Sequence, residues 1–523
     1  MTSRTSVALT AEIDAALRDH LLREDGQEDI CLATYRPSTG VTRRTALLRA
    51  INLPEPGERK VHGNATITGD YVLRIAALAA DEGDGVVLLH SHPCGRAWQA
   101  MSGPDRDTES AYANLVREVT GFPLVGMTLA GDDLTWSARH WDQGVAGEVR
   151  ATDSENVRVV GDQLRVSWND WLVPPPSARR SNVRSMTCWG PRMHADLARR
   201  SVLVVGLGSV GLDVAVRLAA AGVTCLGLMD FDTVKPHNLD RLIGVTPVDA
   251  WLRRSKIEVA RRLVSANATA AGPSVNCWDL SICEPAGLAV ALDYDQIICC
   301  VDRPWPRAVL NSLAYRDYIP VIDGGVAVDV FADGDGMRNA TWRSHVLRPG
   351  RPCMACNGQL DLGAVAADMS GALNDPTYIA GNPHFQGTDS ANVALVSINA
   401  AASLLAQYIS LNVAPGGMGE PGPLQYVLST HTLEHLAATS RPACPVEALT
   451  GHGDSAMRMT RPHPAADRER RDHDLRTLSL TLRIARRLDS TQRWIDSLLT
   501  THATRVVDQG TSSRRPLTQT RTR

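Results

Sequence analysis

Four apolar residues, Val202-Leu203-Val204-Val205, run directly into Gly206-Leu207-Gly208-Ser209-Val210-Gly211, and a helical pattern opens at Leu212. A short apolar run of this kind reads as a buried strand, and the glycine spacing lets the chain turn sharply into a helix. Backbone N–H groups and the helix N-terminus then face a volume where phosphate oxygens can be cradled. Asp230 closes the next strand-like run, at the distance where a carboxylate grips a ribose. Strand, turn and helix alternate from Ser201 to Gly325, the pattern of a parallel α/β sheet. Taken alone, the glycine fingerprint suits a nicotinamide-dependent dehydrogenase as well as an ATP-using enzyme.

The residues downstream separate the two. Asp230-Phe231-Asp232-Thr233-Val234, Asn238-Leu239-Asp240-Arg241, Arg254-Ser255-Lys256-Ile257-Glu258-Val259-Ala260 and Cys300-Val301-Asp302 come in turn. In order and spacing they resemble the ThiF/MoeB/ubiquitin-activating superfamily of adenylating enzymes. Making an acyl-adenylate requires charge neutralisation along a triphosphate, through Arg and Lys donors and a carboxylate-held Mg²⁺. Hydride transfer has no use for that set. The resemblance covers residues 184–330 well and 331–443 loosely. It implies that Gly206, Gly208 and Gly211 form the phosphate loop and that Asp230 binds ribose. It further implies that Asn238, Arg241 and Lys256 hold the phosphates of ATP and that Asp302 coordinates magnesium. Arg184 stands where the family places an arginine that reaches the neighbouring subunit's nucleotide, so a homodimer is expected. Arg307 and Asn311 come next, in a helix position that the family fills with the same residue types.

A second cluster lies near the N-terminus. His90-Ser91-His92-Pro93 ends the apolar run Gly85–Leu89, and Ser102 and Asp105 come shortly after. Histidines two apart at the end of an extended strand point to the same side, as metal ligands must. With Asp105 as a third ligand, one tetrahedral position stays open for water, which marks a catalytic zinc and not a structural one. This arrangement resembles the JAB/MPN (JAMM) metalloproteases, which also use a serine and an upstream glutamate. By that resemblance Glu28, ahead of what reads as the first strand, is the general base and Ser102 stabilises the oxyanion. Nine residues separate His92 from Ser102, a longer loop than the familiar motif carries. His62 and His140 read as ordinary polar residues.

The cysteines are scattered. Cys353-Met354-Ala355-Cys356 is half of a zinc ribbon, and Cys444 is the one further thiol able to join it, three ligands where a closed structural site wants four. No cysteine occurs between 357 and 443, where ubiquitin-activating enzymes carry their thioester-forming residue. Either Cys353 or Cys356 is then the nucleophile, or the adenylate passes to an external thiol. Eleven cysteines in 523 residues are too few for a disulfide scaffold and suit a reducing compartment.

The expected architecture is α/β throughout: a JAB/MPN-like domain at 1–140, a connector at 141–183, a ThiF-type Rossmann-like doubly wound sheet at 184–440, and a helical extension with a disordered basic tail at 441–523. A net charge of −3 offers no nucleic-acid-binding surface, and the N-terminus lacks the apolar core of a signal peptide. A cytoplasmic protein without membrane association is expected. The implied cofactors are ATP, Mg²⁺ and Zn²⁺. The implied function is activation of the C-terminus of a ubiquitin-like β-grasp protein, joined to zinc-dependent processing of that modifier, with a conjugating enzyme as a further partner. A non-catalytic scaffold binding the same modifier is the other alternative beside the dehydrogenase.

Overall fold

The computed structural model describes residues 4–62, 64–144, 148–177, 179–331, 336–375, 393–437, 439–474 and 478–509. The basic tail expected at 511–523 lies outside them, as do Asn392 and Leu475.

A nine-stranded sheet organises the N-terminal half. Its spatial order is Leu164–Trp168, Asn156–Val160, Arg4–Thr10, Arg43–Asn52, Ile30–Thr39, Gly85–His92, Leu124–Ala130, Thr135–Gln143 and Val149–Asp153. The two-residue period of the strand Gly85–His92 sorts its side chains between two cores. Val87 and Leu89 join Leu17 and Leu21 of the helix Ala11–Leu21 on one face. Val86 and Leu88 meet the helices Gly69–Glu82 and Gly103–Thr120 on the other. His90 and His92 continue the second face beyond the apolar run.

Two expectations are corrected here. The stretch 141–183 is no simple connector, because three strands within it, Val149–Asp153, Asn156–Val160 and Leu164–Trp168, belong to this sheet. The strand ahead of which Glu28 stands is the second in the chain, since Arg4–Thr10 precedes it.

The second sheet has eight strands, ordered Ser274–Trp278, Cys225–Met229, Ser201–Val205, Gln296–Cys299, Val321–Val330, Met337–Leu347, Leu424–Val427 and Thr432–His435. The first five are parallel and the last three antiparallel. From Ser201–Val205 the chain winds outward to one side, then returns to begin the other side at Gln296–Cys299. A doubly wound sheet binds its ligand at such a reversal, beyond the carboxyl ends of the strands. Helices Ser209–Ala220, Lys256–Asn267 and Ala394–Val413 cover one face, and Pro285–Ala291, Pro304–Arg316 and Leu362–Ser370 the other. Ala394–Val413 is the one helix among the described residues long and apolar enough to cross a membrane. Its Ala400, Ala401, Leu404 and Leu411 are packed inside the core.

The two sheets do not have separate cores. Ala8, Leu47, Val160 and Leu164 of the first sheet lie in one apolar cluster with Val202, Val204 and Tyr318 of the second half. At the seam, buried Asp295 accepts from Arg43 Nη1 at 2.7 Å and Arg158 Nη1 at 3.0 Å, while its other oxygen takes the Ser201 N–H and hydroxyl, each at 2.9 Å. Tyr318 donates to the Leu48 carbonyl at 3.0 Å and Ser38 to Asp317 at 2.8 Å. Burial alone would raise the Asp295 pKa, but Arg43 and Arg158 outweigh it and hold the carboxyl well below its ordinary range.

Asp295→Ala would strand two buried guanidinium groups, a loss of about 3–5 kcal/mol. Wild-type protein is therefore expected to melt in one calorimetric transition involving both halves, and the variant at a clearly lower midpoint. An independent N-terminal transition that ignores the substitution would show that the seam does not couple the halves. A depressed carboxylate stabilises above its unfolded pKa. The Asp295 contribution is thus complete above about pH 4 and lost as pH falls toward the folded value.

Candidate functional site

A cavity of about 660 Å³ opens at the reversal point of the second sheet. Gly206, Gly208, Asp230, Asn238, Arg241, Lys256 and Asp302 all line it, as the sequence pattern implied. Gly206 has φ +89°, and a Cβ there would meet the Cys300 carbonyl oxygen at 2.8 Å. Gly211 does not line the cavity. It lets the helix Ser209–Ala220 close onto the loop, since a Cβ would stand 1.9 Å from the Gly206 oxygen. Above Gly208 the space is open.

Asp230 has a structural duty beyond any ligand. Its carboxylate accepts the Leu207 N–H at 2.6 Å and the Asp232 N–H at 2.8 Å, which anchors the glycine loop. Burial raises its pKa. Asp232, not singled out as a site residue by the sequence reading, takes the Lys256 ammonium at 2.6 Å and so aims that cation across the pocket. Burial works against the charge on Lys256, but Asp230 and Asp232 outweigh it and raise the pKa. Asn238 accepts the Lys235 N–H at 2.9 Å, and Arg241 folds back on the His237 carbonyl at 2.7 Å. Asp302 is exposed at the cavity rim. Arg307 also lines the cavity and is paired with buried Asp323, whereas Asn311 lies outside it and accepts the Met354 N–H at 3.0 Å. Arg184, on the exposed side of the helix Val183–Trp189, does not line its own chain's cavity.

In the N-terminal half, His90 Nε2 and His92 Nε2 are 3.2 Å apart, and each lies 3.6 Å from an Asp105 carboxylate oxygen. Tetrahedral coordination at zinc bond lengths sets ligand atoms about 3.3 Å apart, so the three groups fit one ion. His92 Nδ1 faces Gln99 Oε1 at 3.1 Å, which fixes the tautomer that leaves Nε2 bare. Gln99 sits in the lengthened loop after His92, where sequence spacing offered no sign of its role. Asp105 raises the His92 pKa most, with Gln99 and Glu28 adding to it. Asp29 is instead held by Arg59 and Arg23, and Asp25 by Arg23. Ser102 is not in a loop but caps the helix Gly103–Thr120. Its hydroxyl accepts the Asp105 N–H at 3.2 Å, while the Asp105 carboxylate accepts the Ser102 N–H at 2.9 Å and is bonded by the Ser102 side chain as well.

Cys353, Cys356 and Cys444 come together with Glu447, four ligand atoms within 4.8 Å of one another. Cys353 and Cys444 sulfurs are 3.6 Å apart, near the roughly 3.8 Å of a tetrahedral zinc thiolate pair. Glu447, which the sequence reading did not count as a ligand, supplies the fourth group. Burial pushes the Cys356 thiol up to about 12, and the neighbouring thiols add to the rise.

With this geometry in view, residues 181–445, just over half of the chain, match the model of the ThiF family. The chain belongs to the ThiF family. Among curated proteins it is similar to the molybdopterin-synthase adenylyltransferase of Escherichia coli (strain K12), 34% identical over 142 residues, or 26% of this chain and 55% of that protein. It is also similar to the adenylyltransferase and sulfurtransferase MOCS3 of Mus musculus, 36% identical over 125 residues, or 24% of this chain and 26% of that one. The chain thus spans from about a quarter to just over half the length of the curated relatives it matches. Among solved structures, that of E. coli MccB with ATP is 20% identical, covers 52% of this chain and 74% of its own, and has a TM-score of 0.41.

The tight fit at Gly211 yields a direct test. Gly211→Ala must push the loop from the helix and is expected to lower stability by about 1–3 kcal/mol, read as a fall in the denaturation midpoint. Gly208→Ala, with open space above it, should leave the midpoint nearly unchanged. Equal midpoints for both variants would contradict the close approach.

Proposed function

We propose that this protein adenylates the C-terminal carboxylate of a small ubiquitin-like protein, and that its N-terminal half hydrolyses bonds made at that same terminus. The observation that carries the first part is the cavity itself, where a glycine loop, a helix N-terminus, Lys256 and Arg307 face Asp302. A nicotinamide site has no need of two largely buried cations opposite an exposed carboxylate. In the proposed reaction a carboxylate oxygen attacks the α-phosphorus of ATP and pyrophosphate leaves. The loop N–H groups and Lys256 take the growing negative charge, and Asn238 and Arg241 are positioned to steady the outer phosphates once Arg241 turns from His237. Asp302 would hold magnesium, which neutralises the departing pyrophosphate.

Asp302→Ala is expected to lower ATP–pyrophosphate exchange by about a hundredfold or more, with the melting midpoint unchanged. Tight binding of NAD without binding of ATP would overturn the assignment. Arg184, which does not line its own chain's cavity, suits a symmetric dimer in which it would serve the neighbouring site. Mixing inactive Arg184→Ala chains with inactive Asp302→Ala chains should therefore restore part of the exchange, and a fully active monomer would contradict it.

The second part rests on the spacing of His90, His92 and Asp105, which would hold zinc with a position left for water. The ion would supply a nucleophilic water at neutral pH. Glu28 would take the proton from that water, and the Ser102 O–H would donate to the oxyanion once it turns from the Asp105 carboxylate. Glu28→Gln is expected to keep the same zinc content as wild type yet lose cleavage of a fusion to the modifier's C-terminus. His92→Ala should lose one equivalent of zinc as well, by elemental analysis. Cys353, Cys356, Cys444 and Glu447 would hold a second, structural zinc, which favours a structural role for these thiols over a thioester. Zinc content that is the same in wild type and His92→Ala would leave the N-terminal half as a binding module.

A further inference from the structure

The segment beyond the family match builds part of the nucleotide cavity. The backbone carbonyl of Met459 takes the Trp305 indole N–H at 2.8 Å, and the Arg461 N–H reaches the Cys283 carbonyl at 2.9 Å. His463 and Ala465 then line the cavity itself. The helix Pro464–His473 is fastened in its turn, Glu469 to Lys235 at 2.7 Å and Thr233 at 2.9 Å, Arg470 to Glu284 at 2.6 Å, and His473 to Asp279 at 2.8 Å. Five anchoring residues, bound beyond the carboxyl ends of two strands and to the helix Pro304–Arg316, make this a fixed strap.

The position of the strap selects its partner. The phosphate loop follows the strand Ser201–Val205, and the ribose-facing carboxylate follows Cys225–Met229. The next strand outward, Ser274–Trp278, leads to Leu280 and Ser281, which also line the cavity. A nucleotide whose phosphates and ribose occupy the first two positions must carry its base toward the third, as strands lie about 4.8 Å apart. There the His463 ring stands edge to face with Phe231 at 5.2 Å and Trp305 at 5.0 Å, and its Nδ1 meets the Ser281 hydroxyl at 2.9 Å. Phe231, Leu280, Ser281 and His463 together form a half-apolar slot with two polar groups.

We propose that the C-terminal strap is the base-binding wall of the nucleotide site and that the His463 ring packs against the adenine of ATP. Burial keeps the His463 pKa below its ordinary value, so the ring is neutral near pH 7 and can pack flat on a base. The family match ends at 445, so this wall is supplied from outside it. The inference rests on the nucleotide reading of the cavity.

The test measures binding of the α,β-methylene analogue of ATP and of inorganic tripolyphosphate, each with magnesium, to the full-length chain by calorimetry. His463→Ala is expected to weaken the analogue about tenfold while leaving tripolyphosphate unchanged, as loss of one aromatic–base contact predicts. His463→Phe, which keeps a flat ring, should remain within about threefold of wild type. Analogue binding unchanged in His463→Ala, or tripolyphosphate weakened equally, would overturn the assignment of the strap alone. Wild-type protein that binds neither ligand would overturn the nucleotide reading itself.

Discussion

Asp295 is the point on which both halves turn. Its two oxygens tie together Arg43 and Arg158 from the first sheet and Ser201 at the start of the central strand of the second. An apolar trio of similar volume could hold the seam as strongly, because desolvating one carboxylate and two guanidinium groups cancels most of their attraction. What the charges add is register. Shifting either sheet by one residue would leave a buried charge alone, whereas sliding apolar surfaces past one another costs little. The apolar contacts of Ala8, Leu47, Val160 and Leu164 around the triad are thereby fixed to one arrangement.

That register determines the placement of both sites. In the second sheet, Ser201, Asp295 and Tyr318 stand just ahead of or at the amino ends of their strands. The seam therefore occupies the edge opposite the glycine loop. In the first sheet, the seam residue Ser38 lies beyond the pairing of Tyr35 with Gly85, at the start of the strand that ends in His90 and His92. Both clusters of polar side chains stand at strand ends remote from the seam. There the backbone has finished its ladder and side chains are free to serve a ligand.

What could be read from the sequence was the chemistry carried by local spacing. The Val202–Gly211 run, the two-residue step from His90 to His92, and the Asp230 strand end each depend on a few consecutive residues, and all three stand where periodicity put them. What could not be read depended on contacts across the fold. Glu447 joins the Cys353–Cys356 pair over more than ninety residues, and His463 reaches a pocket whose loop lies far upstream. The strands at 149–168 looked like a link because they are short and lie next to a proline run, although the middle one, Asn156–Val160, pairs with Arg4–Thr10 at the other end of the module. Gln99 had no signal at all, since a glutamine in a loop gains its role only from the ring it faces.

The geometry of the seam also bears on how the two proposed activities relate. A hinge between the halves would have to break the Asp295 triad and open a continuous apolar cluster, at an energy cost comparable to the stability of a whole domain. Domain closure of the kind that carries an intermediate from one site to another is therefore not available to this fold. Under the proposed function the fusion would set a fixed stoichiometry of one site to the other, and the order of the two reactions would come from the state of the modifier's terminus, a free carboxylate for the cavity and a bonded one for the histidine pair.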